Sequence, residues 1–237
     1  MKKYLISILI LWGGIVISPD QALGQDHAAV YAQHIAPDAN LRSGKSYEHF
    51  YLSTDGNQYL TDALPRKGNV LYDGVLYRDI LINYDIHNHL VYTNFTVNGF
   101  GKNIILNEKR IRFFEVEGMR FVYISENQYP SLLPGIYQEV FHGETYSFWI
   151  KKHKKLNNQT VSTPGANRFR FAEADQYFIR SGNITRQISS KKELLKALGR
   201  SGNTSEIIRQ NRLRLNPARP EFAASVKTLL KILDSNQ

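Results

Sequence analysis

The sequence has no cysteine. That excludes disulfide staples, a thiol nucleophile and the lipid-modified cysteine of a bacterial lipoprotein. Stability must therefore come from an ordinary core, which the 42% hydrophobic content suits. Long apolar runs are also missing. The longest, from Tyr4 to Ile17, falls short of the ~20 residues that a spanning helix needs, and Gly13, Gly14 and Pro19 weaken it. The chain carries no G-x-S-x-G elbow, no H-E-x-x-H, no G-x-x-x-x-G-K-[ST] and no EF-hand loop. Acidic residues are few, 21 against 30 Lys and Arg.

What is present begins with an address. Lys2 and Lys3 precede the Tyr4–Ile17 run, and Ala22-Leu23-Gly24 offers small residues where a signal peptidase reads. This is the layout of a secretory signal peptide over residues 1–24. The formal charge of +9 lies almost wholly beyond that leader. Such a charge favours acidic surfaces: anionic lipid, lipopolysaccharide or an acidic partner. Export makes nucleic acid a poor candidate. The basic run Lys151, Lys152, Lys154 and Lys155 is the densest part of the excess, and its plainest reading is a solvated loop.

The stretch Gly68–Val97 organises the rest. Val, Ile, Leu, Tyr and Phe fill it, and Asp-Gly, Asp and Asn punctuate it, which is how consecutive antiparallel strands are written. Within Val75–Tyr84, strict alternation places Leu76, Arg78, Ile80, Ile82 and Tyr84 on one face and Val75, Tyr77, Asp79, Leu81 and Asn83 on the other. Further hairpins are expected about Asn98-Gly99, Glu117-Gly118, His142-Gly143-Glu144 and Ser181-Gly182-Asn183. Tyr47–Leu52 reads as a first strand, and residues 156–167, rich in Asn, Thr, Ser, Gly and Pro, read as a loop.

After Ile188 the apolar period lengthens to that of a helix. Ser190 and Glu193 form a capping box, Gly199 stops the first helix, and Thr204 or Ser205 caps a second. Pro220 opens a third, with Phe222, Val226, Leu229, Leu230 and Leu233 on one stripe. The expected fold class is mainly β (α+β): a curved antiparallel meander or half-barrel of about eight to eleven strands, with two to three C-terminal helices. Residues 25–46 form a flexible arm, 47–188 the β domain, and 189–237 a helical segment packed on the sheet.

The order of motifs resembles a known group. Tyr72-Asp73-Gly74 leads to Asn83-Tyr84-Asp85, the element Ile136–Gly143 follows, and Ser189–Leu195 with Asn211-Arg212-Leu213 completes the series. Together they resemble uncharacterised secreted β-rich proteins of Bacteroidota, over roughly Val70 to Leu233. The resemblance implies location; it brings no activity, cofactor or catalytic residues.

Three groups of residues invite chemistry. His87 and His89 flank Asn88 as a metal pair would on a strand, but they fall at a turn, where polar residues gather anyway. Carboxylates at Asp73, Asp79, Asp85, Glu115, Glu117, Glu139 and Glu144 sit in or beside hairpins, mostly where turns need them. Tyr77, Tyr84, Tyr92, Phe95 and Trp149 are candidates to line an apolar ligand groove, against the plainer reading of sheet packing. The expectation is an exported, non-catalytic envelope module without cofactor or metal that binds a partner protein. The alternative is a carrier holding an apolar or lipid ligand between sheet and helices, and a hydrolase ranks last.

Overall fold

The computed structural model describes residues 40–49, 54–97, 100–129, 131–160, 167–199 and 204–235. By contacts the chain divides into Met1–Asn40 and Leu41–Gln237, and the second unit is the subject here. The expected leader and the expected Asn98-Gly99 turn lie outside the described residues, as does half of Tyr47–Leu52, whose described part, Tyr47–His49, is not strand. Among the described residues no helix is long and apolar enough to cross a membrane.

Among the described residues twelve strands form in order: β1 Arg66–Tyr72, β2 Val75–Asp85, β3 Leu90–Val97, β4 Phe100–Ile105, β5 Ile111–Val116, β6 Met119–Ile124, β7 Gly135–His142, β8 Tyr146–Lys151, β9 Lys154–Thr160, β10 Asn167–Glu173, β11 Gln176–Ser181 and β12 Ile184–Ile188. Ten make one open antiparallel sheet in the order β12-β11-β8-β7-β6-β5-β1-β2-β3-β4. The chain lays β1 to β4 outward in one direction. It then returns through a 3-10 turn, Glu108–Arg110, to add β5 on the free side of β1. Asn107 caps that turn, its side chain accepting from the Lys109 amide. Asp73-Gly74 and Glu117-Gly118 both hold left-handed backbone at the two turn positions, as tight hairpins with right-handed twist require.

Paired residues share a face, so the register defines two. A first-face row runs Tyr77–Val70–Phe114–Phe121–Gln138–Ile150–Tyr177–Ile188. A second-face row runs Leu76–Leu71–Phe113–Val122–Tyr137. Strict alternation in β2 fails at one point. Arg78 and Asp79 together oppose Asn69, with Asp79 left-handed at φ 52° and its amide bonded to Asn69 Oδ1 at 3.2 Å. This bulge moves Tyr77 onto the core face with Ile80, Ile82 and Tyr84 and turns Leu76 to the other side.

The first face is dry. Over β1, β2, β5 and β6 it buries Val70, Ile82, Tyr84, Phe114 and Phe121. Over β8, β11 and β12 it is roofed by helices α1 (Lys191–Ala197), α2 (Thr204–Gln210) and α3 (Phe222–Ser235). Ser190 Oγ accepts from the Glu193 amide at 3.2 Å; the reciprocal Glu193 carboxylate takes the amide of Ser189 at 2.7 Å. Phe222, Val226, Leu229 and Leu230 of α3 meet Phe148, Ile179 and Leu194 with almost no exposure. Each such side chain contributes about 1.5–3 kcal/mol by leaving water. Asp234 pins the end of α3 to the β7–β8 turn, accepting from the amides of Glu144, Thr145 and Tyr146 at 3.0–3.2 Å. Gly143 permits that approach, since a Cβ there would lie 2.1 Å from Asp234 Oδ2.

Two expectations are corrected. Residues 156–160 and Asn167 are not loop: β9 and β10 form a separate two-stranded ribbon, with Leu156 opposite Phe171. The described end of the expected arm is fastened: Leu41 is buried in the core, and Lys45 and Tyr47 exchange backbone bonds with β4.

Candidate functional site

The second face of β5–β8 stays open and forms a groove of about 770 Å³. Two bulges shape it. At the start of β5, Leu71 pairs with Phe113 but Tyr72 pairs with Ile111, which leaves Arg112 as the extra, exposed residue on the groove rim. In β7, Glu139 pairs with Trp149 and Phe141 with Phe148, so Val140 is extra and His142 rejoins Glu139 on the groove side.

Arg120 sits in the middle of this surface. Its guanidinium lies 3.8 Å from the Phe113 ring centroid, bonds Glu115 at 2.7 Å and reaches Glu139 at 3.4 Å. Arg110 pairs with Asp73 and lies over the Tyr72 ring. Lys109 and Arg112 are exposed lining residues with no carboxylate in ion-pair range among the described residues. Trp149 forms part of the floor beneath Tyr129, ring centroids 4.7 Å apart. The groove thus has an apolar floor, two guanidiniums clamped by carboxylates and a cationic rim.

A serine, a histidine and a glutamate meet at one end. Ser147 Oγ lies 3.3 Å from His142 Nδ1, and Glu139 Oε1 lies 3.6 Å from the same nitrogen. Nucleophilic catalysis needs the serine on one ring nitrogen and the acid on the other. Here both address Nδ1. Ser147 is fully buried, and Arg180 donates to its Oγ from Nε at 3.2 Å and Nη2 at 3.0 Å. The arrangement ties β7, β8 and β11 together and does not present an attacking hydroxyl.

The five aromatic candidates do not line one groove. Tyr77 and Tyr84 are buried in the first-face core, with Phe95 half-buried against it. Burial holds the Tyr84 hydroxyl far above its ordinary pKa. Tyr92 packs on the opposite face with Tyr47 and Tyr59, stacked on Tyr47 at 4.2 Å. Trp149 belongs to a third cluster with Ile124, Leu132, Tyr137 and Phe178. Only Trp149 of the five lines the groove. Space between sheet and helices is taken by the side chains of the roof.

The basic run is not a solvated loop. Lys151 lies over the Tyr137 ring at 5.3 Å, Lys152 pairs with Asp175, and Lys154 donates to Asn57 Oδ1 at 3.2 Å and to the Tyr59 carbonyl. Burial lowers the pKa of Lys151 and Lys154. Lys155 alone of the four is exposed.

The His87–His89 turn gains a third imidazole from sequence-distant His153. The His89 and His153 rings stack at 5.1 Å, and His87 and His153 at 6.2 Å. His87 Nδ1 donates to the Lys154 carbonyl at 2.8 Å and His153 Nδ1 to the Ile86 carbonyl at 3.2 Å. No group of three His, Cys, Asp or Glu among the described residues is arranged to hold a metal ion. These histidines clasp the β9–β10 ribbon to the β2–β3 turn. Asp85 underpins that turn, its buried carboxylate accepting from Tyr47 Oη, the amides of His87 and Asn88, and Asn88 Nδ2 at 2.8–3.0 Å. Most of the other carboxylates are likewise spent on cations: Asp73 on Arg110, Glu115 and Glu139 on Arg120, and Glu117 on Arg66.

Compared with family models, with curated proteins and with solved structures, the chain matches none. Arg112 and Arg120 were not singled out from sequence. A signal for Arg120 did exist: the two-residue Glu117-Gly118 turn fixes Glu115 opposite Arg120.

Proposed function

We propose that this chain is an exported, non-catalytic binding module of the cell envelope, and that the second-face groove of β5–β8 is where it engages its partner. The observation that carries this reading is the groove itself: an open cleft of about 770 Å³ on the second face, floored by apolar residues and rimmed by Lys109 and Arg112. The expected leader over residues 1–24 and the resemblance to secreted β-rich proteins support export. The shared use of His142 Nδ1 by Ser147 and Glu139 speaks for a tie rather than for hydrolysis. Carriage of an apolar ligand under the helices would require α3 to lift off Phe148, Ile179 and Leu194, which favours binding at the open face.

The test is site-specific photo-crosslinking in envelope extract. A probe at Gln128, beside the groove, should capture a discrete partner, and a probe at Thr228, exposed on α3, should not. Equal capture from both positions, or capture from Thr228 alone, defeats the reading.

A further inference from the structure

The second face carries more than charge. From the groove, an apolar row continues across the neighbouring strands: Val122, Phe113, Leu71 and Leu76 are paired in sequence across β6, β5, β1 and β2. Leu76 is 39% exposed, and Leu81 on the same strand is equally so. Leu71, Phe113 and Val122 are half-buried. The β2 bulge turns Leu76 to this side, and the β5 bulge sets Arg112 beside the row. The surface is therefore an apolar strip, aliphatic except at the covered Phe113, next to uncompensated cations. Arg120, held by Glu115 and Glu139, is a fixed donor and not a mobile one.

Charge complementarity selects an anionic occupant. The aliphatic strip selects further. A sugar ring stacks on flat, open aromatic faces; here Phe113 is covered by the Arg120 guanidinium and Trp149 is buried. Branched apolar side chains fit an aliphatic row, and carboxylates two residues away would reach Lys109 and Arg112. Resting on the groove being the binding surface, we infer that its occupant is an acidic, amphipathic polypeptide segment of a partner protein, with apolar side chains laid along Leu76, Leu71 and Val122 and carboxylates at Lys109 and Arg112.

The experiment uses the full mature chain and fluorescence anisotropy. The probes are a short labelled peptide of Glu, Asp, Leu and Val, the same peptide with Lys in place of its acids, alginate oligomers, and phosphatidylglycerol vesicles. The acidic peptide should bind, the lysine version should not, and added salt should weaken binding by screening. Arg112→Glu should weaken it about ten-fold while leaving the melting temperature unchanged, because that side chain is exposed and unpaired. Leu76→Ser should weaken the mixed peptide but leave a pure polyglutamate control unaffected. Tighter binding of alginate or vesicles than of the peptide overturns the ligand class, and crosslinks from Gln128 would then still uphold the groove. Peptide binding untouched by Arg112→Glu, with crosslinks from Thr228 only, overturns the groove.

Discussion

The two ends of the sheet are closed in different ways. Over β8, β11 and β12 the roof is helical and made of Phe222, Val226, Leu229 and Leu230, so its cohesion is the removal of hydrocarbon from water. Beside β2 and β3 the cover is polar: Tyr47, Tyr59 and Tyr92 gather about the buried Asp85 carboxylate, and three imidazoles join the turn to the ribbon. A roof of leucines tolerates changes of pH and depends on shape. A clasp of hydroxyls, carboxylate and imidazoles depends on every donor finding its acceptor.

The contrast can be broken at either end. Asp85→Ala should have the largest effect, about 3–5 kcal/mol, because four donors lose one shared buried carboxylate at once; denaturant melts measure it. Leu229→Ala should cost about 2–5 kcal/mol through the cavity it leaves under α3, and Leu229→Met much less. Asp234→Ala should cost about 1–3 kcal/mol by freeing three turn amides, and Gly143→Ala should mimic it by blocking the approach.

Acid separates the two ends directly. Burial first, then Lys151 and His153, push the His89 pKa from 6.5 down to about 4. A depressed histidine contributes stability that is complete above its unfolded value and is lost as pH falls toward the folded one. The melting temperature should therefore be flat above about pH 7 and fall between 6.5 and about 4. His89→Asn, which suits the left-handed backbone at φ 57°, should flatten that window, and protease cleavage within β9–β10 should report the loss first. An unchanged slope in the variant would place the acid sensitivity elsewhere. The smallest effect belongs to Arg112→Glu, within about 0.5 kcal/mol of the parent in stability.

Much of this architecture is legible in the residues. Asp73-Gly74 and Glu117-Gly118 announce their turns, and the Ser190 cap and the α3 stripe announce the roof. Phe148 and Trp149 fall on opposite faces as alternation requires. The bulges are not legible, because the surplus of Asp79, Arg112 and Val140 appears only against a partner strand. That is why Tyr77 changes face and why the groove, built from two of those surpluses, escapes a reading by period two. The ribbon escapes for another reason. Asn157, Asn158 and Arg170 bring little strand preference, and pairing plus the bonds of Asp55 to Phe169 and Phe171 supply what composition withholds.

The return of the chain past β1 has a temporal consequence. β1 meets β2 across a two-residue turn, whereas its opposite edge waits until β5 has been made. During synthesis, that edge offers bare amides and carbonyls to any strand nearby. Amide protection on refolding should reach the β1–β2 ladder before the β1–β5 ladder, and the interval between them is when this molecule most needs an escort.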